Sequence, residues 1–321
     1  MLWVRICRGP TYGRMTRGWT SYRGLASSRA IAVEPSGAAQ SGPVYLHTVA
    51  ACYPHAAKMQ AGERSRVQRD FGHGGEDAYF VVSDRQTDLH VFGVADGVAG
   101  WKKHGIDAGG WSRALMRAAQ AHSKEEQSLD PAAVLEAAFA RTVAQQKGSS
   151  TACIVSLDRA KGMLRSANLG DSGYLIERGG EVIFRSPRQE HYFGCPYQLG
   201  HHEESSTPSD AQLSANRVRA GDVIVLGTDG LWDNLTDGEV TEITQGALQA
   251  AKNSREMPAR AARAMAFAAL EASTDRDKFT PFARASTEEF DMVYRGGKKD
   301  DITVLVSLVV SSNPHTRAPE A

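Results

Sequence analysis

Short apolar runs recur along the chain and predict β-strands. The runs are about four to ten residues long and rich in β-branched residues, which favours strands over helices. The first of these runs along the chain, VYLHTVAACYP, is a candidate first strand. The later predicted strands are AYFVV, LHVFGVA, STACIVSL, LRSANL, YLIE, EVIF, DVIVLGT and DITVLVSLVV.

The pair Gly179-Gly180 lies between YLIER and EVIFR and predicts a tight hairpin turn. Such a turn requires positive φ angles, which glycine adopts without a steric cost. At least these two strands should therefore be antiparallel.

Four other segments show helical patterns. In the clearest, about 131–146, Asp130 can cap the helix, Pro131 suits its first position, and apolar residues recur every four positions. The other helices are predicted at about 109–120, after Asp237, and at about 257–273. Residues 201–218 show neither pattern and are predicted to form a loop. Because strands and helices come in blocks, the sequence predicts an α+β domain rather than a doubly wound parallel sheet.

Composition narrows the function classes. Of the 321 residues, 37 are Lys or Arg and 37 are Asp or Glu, so the net charge gives no reason to expect binding to nucleic acid or an anionic membrane. No apolar run approaches the roughly 18 to 20 residues that span a bilayer, so stable membrane insertion is not expected. The four cysteines show no CxxC spacing, and a zinc site is not indicated.

The N-terminus departs from this charge balance. Residues 1–33 contain six arginines and no Asp, Glu or Lys, a pattern typical of a mitochondrial transit peptide that directs a protein to the matrix. A disordered basic tail is the alternative to a transit peptide, and a chloroplast or cytoplasmic location is the alternative to the mitochondrion. We expect residues 34–66 to form an N-terminal extension with the first strand, residues 67–312 a catalytic domain, and residues 313–321 a disordered tail.

Acidic residues recur at the ends of predicted strands. They are Glu76-Asp77 before AYFVV, Asp96-Gly97 after LHVFGVA, Asp229-Gly230 after DVIVLGT, and Asp300-Asp301 before ITVLVSL. Asp-Gly pairs are common in turns, so unrelated turn acids are the alternative. If the strand ends meet, the carboxylates would repel one another unless divalent cations neutralise them. All-oxygen ligands suit Mg²⁺ or Mn²⁺, and two such ions suit the hydrolysis of phosphate esters.

Six motifs occur in order between Gly74 and Leu308. They are GGEDA, VADGVAGW, GSSTA, ANLGDSGYL, LGTDGLWDNL and KKDDITVLVSL. Together they resemble the metal-dependent serine/threonine protein phosphatases of type 2C. The longer stretches of sequence around the motifs are similar to the small mitochondrial branch of that family. The resemblance implies a four-layer α-β-β-α sandwich with two central antiparallel sheets. It also implies a monomer that hydrolyses phosphoserine and phosphothreonine in phosphoproteins, by direct attack of a metal-bridging water.

The resemblance also implies a ligand set for Mg²⁺ or Mn²⁺. Asp96 would bridge two ions and Asp229 would bind the second, and these two are the implied catalytic residues. Asp171 would help to hold a third, weaker ion. The full set of implied metal ligands is Glu76, Asp77, Asp96, Gly97 through its carbonyl, Asp171, Asp229 and Asp300.

Three positions depart from the family pattern. Val98 occupies the place where many members have a histidine that is thought to act as general acid. The usual phosphate-holding arginine is absent from GHGG at 72–75; Arg69 is about three positions too early, and His73 is a candidate substitute although an exposed loop histidine is expected. Asp301 replaces an asparagine, which is a milder change.

These departures keep two alternatives open. One is a pseudophosphatase that acts as a binding or regulatory module, and the other is a phosphatase of small phosphorylated metabolites. Substrate specificity is expected to depend on the loop predicted at 201–218.

Overall fold

The computed structural model describes residues 43–55, 66–67, 70–84 and 86–311. The transit peptide predicted at 1–33 and the tail predicted at 313–321 lie outside these ranges. The strands are β1 Val44–Tyr53, β2 Arg66–Val67, β3 Phe71–Gly74, β4 Asp77–Asp84, β5 Leu89–Asp96, β6 Ser149–Ser150, β7 Ala152–Asp158, β8 Met163–Leu169, β9 Gly173–Arg178, β10 Glu181–Arg185, β11 Glu190–Tyr192, β12 Cys195–Pro196, β13 Leu199–Gly200, β14 Gln212–Arg217, β15 Val223–Gly227 and β16 Ile302–Ser311.

The described helices include six α-helices and two short 3-10 helices. The α-helices are α1 Ala108–Glu126, α2 Pro131–Val143, α3 Asp229–Trp232, α4 Asp237–Ala250, α5 Glu256–Thr274 and α6 Pro281–Phe290. The 3-10 helices are Ala99–His104 and Pro208–Asp210. None of the helices described is both long enough and apolar enough to cross a membrane.

Two antiparallel sheets carry most of the strands. Sheet 1 has the order β1-β16-β15-β9-β10, and sheet 2 has the order β14-β8-β7-β5-β4-β3-β2. Two further pairs, β11-β12 and β13-β6, are short. The candidate first strand is confirmed, because β1 pairs with β16 over ten residues.

Three apolar clusters fill the spaces between four layers. Alternate residues of a strand face opposite sides, so Tyr79 packs between the sheets with Leu305, whereas Phe80 packs with Trp111 of α1. On the outer side of sheet 1, the third cluster contains Met265 of α5. The predicted α+β sandwich, with two antiparallel sheets between helices, is confirmed.

Two local predictions are confirmed in detail. Gly179 and Gly180 have φ angles of 58° and 87° and connect β9 to β10 in an antiparallel hairpin. Helix α2 begins at Pro131, and the Asp130 carboxylate accepts a hydrogen bond from Ala132 N at 3.0 Å. The helix ends at Val143, slightly earlier than predicted.

The loop predicted at 201–218 is wrong for its last third. Residues Gln212–Arg217 form β14, which pairs with β8 at the edge of sheet 2. An edge strand with exposed side chains shows no apolar alternation, and here the backbone pairing defines the strand. Helix α6 was not predicted either, although Thr280-Pro281 supplies a cap followed by proline at the first helical position.

Candidate metal centre

Strand ends from both sheets meet at one cleft. Asp77 and Asp96 lie opposite each other in the register of β4 and β5. Asp229 begins α3 directly after β15 of sheet 1, and the preceding residue, Thr228, donates a hydrogen bond from Oγ1 to Asp77 Oδ2 at 2.8 Å. This hydrogen bond ties the two sheets together at the cleft, which has a volume of about 540 Å³.

The structure brings the seven predicted ligands to this edge. Those that line the cleft are Asp96, Gly97, Asp171, Asp229 and Asp300. Glu76 precedes β4 and Asp77 begins it, and both side chains are buried. Lys102 lies 2.9 Å from Glu76 Oε1, and Val98 lines the cleft as an apolar residue.

Gly97 lies where no side chain fits. A Cβ atom at this position would be 2.3 Å from the Ala108 carbonyl oxygen and 2.9 Å from the Glu76 carbonyl oxygen. The Gly97 N–H donates to that Glu76 oxygen at 3.1 Å. The glycine therefore allows β5 to end in close contact with the start of α1 and with the segment before β4.

Asp301 holds two backbone amides beside the site. Its Oδ1 accepts from His55 N at 2.7 Å, and its Oδ2 accepts from Glu76 N at 2.8 Å. A carboxylate supplies both acceptors, whereas an asparagine side chain has one acceptor oxygen. Burial raises the pKa of Asp77 well above its usual value, and the negative charge of Asp301 raises it further.

A lysine lies among the acids of sheet 1. Lys298 Nζ contacts Asp229, donates to Asp233 Oδ2 at 2.7 Å, and lies 3.7 Å from Asp300 Oδ2. Burial opposes the charge on Lys298, but these carboxylates outweigh it and hold the pKa of the lysine above its usual value. The lysine is therefore a fixed positive charge at the cleft.

An arginine contributes a second positive charge. Arg188 Nη1 donates to Asp233 Oδ1 at 2.7 Å, and its Nη2 lies 3.5 Å from Asp171 Oδ2. Burial raises the pKa of Asp171 to about 7, and the charge of Asp229 adds to this effect, while Arg188 opposes it. Arg188 thus offsets only part of the effect of burial and of Asp229 on Asp171.

The donor set fits hard divalent cations. Within the predicted ligand set, the buried carboxylate oxygens Asp77 Oδ1, Asp171 Oδ1 and Asp229 Oδ1 have no hydrogen-bond partner among the described residues. Buried carboxylate oxygens are costly without a donor or a cation, and oxygen ligands are those that Mg²⁺ and Mn²⁺ prefer. Within the described ranges, no three His, Cys, Asp or Glu side chains already converge on one point, and Arg188 and Lys298 lie between the acids instead.

Sequence reasoning missed the cations and one acid. Asp233 belongs to the motif LGTDGLWDNL, and Lys298 begins KKDDITVLVSL, so the motifs themselves contained the signal for both residues. Arg188 lies in a connection between β10 and β11, where no periodic pattern indicates a role. The expectation that His73 is an exposed loop histidine was wrong, because His73 lies in β3 and is only 8% exposed. Arg69 lies outside the described residues.

Comparisons with known proteins agree with the motifs. A protein-family model described as Stage II sporulation protein E (SpoIIE) matches residues 91–309. The chain is 43% identical over 241 residues to "Probable protein phosphatase 2C 55" of Arabidopsis thaliana, covering 74% of this chain and 49% of the relative. It is 40% identical over 248 residues to "Protein phosphatase PTC7 homolog" of Homo sapiens, covering 73% and 79%. The chain thus spans about half the length of the plant relative.

Solved structures show the same fold. The X-ray structure of the photosystem II phosphatase PBCP matches with a TM-score of 0.70 and 32% identity, covering 82% of this chain and 98% of that chain. The catalytic domain of the serine/threonine phosphatase PstP, described as a complex with two manganese ions, matches with a TM-score of 0.52 and 19% identity, covering 84% and 100%. At that lower identity the likeness concerns the fold alone.

Proposed function

The chain belongs to the PP2C-type family of protein phosphatases, and on that premise we propose that it hydrolyses phosphoserine and phosphothreonine in proteins at a two-metal centre. The observation that carries the proposal is the meeting of acids from both sheets at one cleft, where the buried oxygens Asp171 Oδ1 and Asp229 Oδ1 lack a hydrogen-bond partner among the described residues. Family membership, predicted from the motifs, is confirmed.

Mg²⁺ or Mn²⁺ suits this donor set. PstP, which shares the fold, is described with two manganese ions. We assign Asp96 as the ligand shared by both ions, because it is paired with Asp77 and lines the cleft with Asp229. The other proposed ligands are Gly97 through its carbonyl, Glu76 and Asp77 on the first ion, and Asp229 and Asp300 on the second.

The chain's own residues would position the substrate and the ligands. Bound ions would lower the pKa of an attacking water and stabilise charge as the phosphate is displaced. Thr151 holds both backbone groups of Asp96. Asp96 N donates to Thr151 Oγ1 at 3.1 Å, and Thr151 N donates to Asp96 O at 2.9 Å. Val98 has no proton to donate, so the leaving oxygen must be protonated by water or by another group.

The test is a phosphatase assay with metal. We expect hydrolysis of a chromogenic phosphate ester and of phosphopeptides with Mn²⁺ or Mg²⁺, and a loss of more than about a hundredfold in Asp96→Asn and Asp229→Asn. Asp130→Asn is the matched control, because Asp130 is exposed and asparagine retains the α2 cap.

Four outcomes would contradict the proposal. Metal-independent turnover, or activity retained in both variants, would refute the two-metal centre. Absence of turnover with several phosphopeptides would favour the pseudophosphatase. Turnover confined to small phosphorylated metabolites would favour the other alternative.

We also propose a mitochondrial location, and the support is the arginine-rich segment at 1–33. Residues 1–40 fused to a fluorescent reporter should direct it to mitochondria. The same fusion with the six arginines changed to glutamine should remain in the cytosol. A cytosolic or chloroplast signal from the unaltered fusion would refute the assignment.

A further inference from the structure

Asp233 has both of its carboxylate oxygens bound by cations of the chain. Arg188 Nη1 donates to Oδ1 at 2.7 Å, and Lys298 Nζ donates to Oδ2 at 2.7 Å. The Asp233 side chain is buried. Its oxygens are therefore engaged before any ion arrives.

Arg188 is fixed beside Asp171 by its neighbour in the chain. Gln189 N donates to Gly170 O at 2.9 Å, and Gly170 N donates to Gln189 Oε1 at 3.3 Å. Gly170 directly precedes Asp171, so these two hydrogen bonds hold the Arg188 backbone next to that acid. The Arg188 guanidinium then reaches Asp233 with Nη1 and lies 3.5 Å from Asp171 with Nη2, which also contacts Glu190 at 3.1 Å.

Lys298 is fixed beside Asp233 in a similar way. Lys298 N donates to Asn234 Oδ1 at 2.9 Å, and Asn234 Nδ2 donates to Lys298 O at 2.8 Å. Asn234 is fully buried and directly follows Asp233. Both cations are thus held by backbone hydrogen bonds to residues adjacent to the acids that they neutralise.

We propose that Arg188, together with Lys298 on Asp233, takes the place of a third metal ion beside Asp171, so that the centre binds two divalent ions and no third. The inference rests on the proposed two-metal function. Of the four carboxylate oxygens of Asp171 and Asp233, three are engaged by Arg188 or Lys298, and only Asp171 Oδ1 has no partner among the described residues. One oxygen is a poor site for an ion that takes about six oxygen ligands.

Displacing the guanidinium would also be costly. Displacement would remove one of the two cationic partners of the buried Asp233 carboxylate, and the planar guanidinium, which is 38% exposed, offers several donors that match carboxylates. The positive charge beside Asp171 is therefore always present and does not depend on the metal concentration. This reverses the expectation, drawn from the family resemblance, that Asp171 helps to hold a third ion.

The test counts bound ions directly. Full-length protein is titrated with Mn²⁺, and free Mn²⁺ is followed by electron paramagnetic resonance. We expect two ions per chain in the wild type and a third, weaker ion in Arg188→Ala, which frees Asp233 Oδ1 and Asp171 Oδ2. The third ion should disappear again in Arg188→Ala combined with Asp171→Asn.

Two further variants keep the result interpretable. Arg188→Met retains the length of the side chain and should also bind the third ion, in case Arg188→Ala fails to fold. Arg188→Lys retains a positive charge and should bind two.

Contrary results separate the two proposals. Two ions in both Arg188→Ala and Arg188→Met, or three in the wild type with loss of one in Asp171→Asn, would overturn the inference while the two-metal function stands. No Mn²⁺ bound to the folded wild type would overturn the two-metal function itself.

Discussion

At the scale of single residues, Gly97 is a position of the site that has no room for a side chain. A methyl group would meet the Ala108 carbonyl oxygen at 2.3 Å, and a backbone atom of α1 cannot move aside cheaply. We expect Gly97→Ala to lower the free energy of unfolding by about 1–3 kcal/mol, as overpacking does. Urea unfolding measures this change.

Gly246 provides the matched control. It is exposed in α4, and no atom lies within 4 Å of the place of its Cβ. Gly246→Ala should raise the free energy of unfolding by about 0.5–1 kcal/mol, because alanine loses less conformational entropy in a helix. Equal effects of the two substitutions would contradict the steric account of Gly97.

The lowered pKa of the buried His90 should make the free energy of unfolding depend on pH. Burial, and then the charge of His47, lower its pKa from 6.5 to about 4. Between these values the unfolded chain binds a proton that the folded chain does not, so the free energy of unfolding falls as the pH drops from 6.5 to 4, by up to about 3 kcal/mol. Urea unfolding of His90→Gln should show a flatter profile in this window than the wild type. Parallel profiles would show that His90 does not contribute.

The acids of the site were predictable, whereas their partners were not. Asp96 and Asp229 were found because each ends an apolar run, so the sequence itself shows the unusual position. Arg188 reaches Asp233 across a long sequence separation from an irregular connection, and only the fold brings them together. The position of Asp301 at the site was predictable, but its role was not. Its two hydrogen bonds to backbone amides depend on the fold and do not show in a sequence pattern.

At the scale of elements, α6 is held at its start by one hydroxyl group. Thr280 Oγ1 accepts from Ala283 N at 3.2 Å and donates to Gly296 O at 2.8 Å. Thr280→Ala should cost about 1–3 kcal/mol of unfolding free energy, because it removes a cap and leaves a buried carbonyl without its donor. Thr280→Ser retains the hydroxyl group and should cost less than half as much. Similar unfolding midpoints for both variants would refute this role.

The same substitution tests whether α6 shapes the substrate site. Pro281, Phe282 and Ala285 of α6 line the cleft, and Phe193 packs on Phe282 with ring centroids 5.9 Å apart. If the start of the helix loosens, we expect KM for a phosphopeptide to rise more than KM for a small phosphate ester. An equal change in both would place the effect elsewhere.

Buried strands were predictable as elements, and exposed ones were not. The central strands β5, β7 and β16 are almost wholly buried and so are mostly apolar. In contrast, β14 has its side chains largely in solvent and is defined by its hydrogen bonds to β8, which sequence periodicity does not report.

At the scale of the whole molecule, the proposed metal ions would join the two sheets. Asp96 belongs to sheet 2, whereas Asp229 and Asp300 adjoin strands of sheet 1. Ions that bind only the folded chain stabilise it, by about 2.7 kcal/mol per site at 100 times the Kd. We expect Mn²⁺ to raise the unfolding temperature of the wild type and to have a much smaller effect on Asp96→Asn. An equal shift in both proteins would contradict the shared ligand.

The layer order was predictable because strands and helices come in blocks and because the six motifs resemble one family. The contact between the sheets at the cleft was not, since it depends on the pairing of distant segments. Thr228 and Asp77 are an example, since they are 151 positions apart in the sequence.

The pairing of β1 with β16 limits how far the N-terminus can be trimmed. β1 covers one side of β16 over ten residues, and β16 is almost wholly buried. Without β1, the long apolar strand β16 would become the open edge of sheet 1. An exposed apolar edge strand can pair with other chains and promotes aggregation. If the proposed transit peptide is removed by a protease, we therefore expect the cleavage site to lie before Val44.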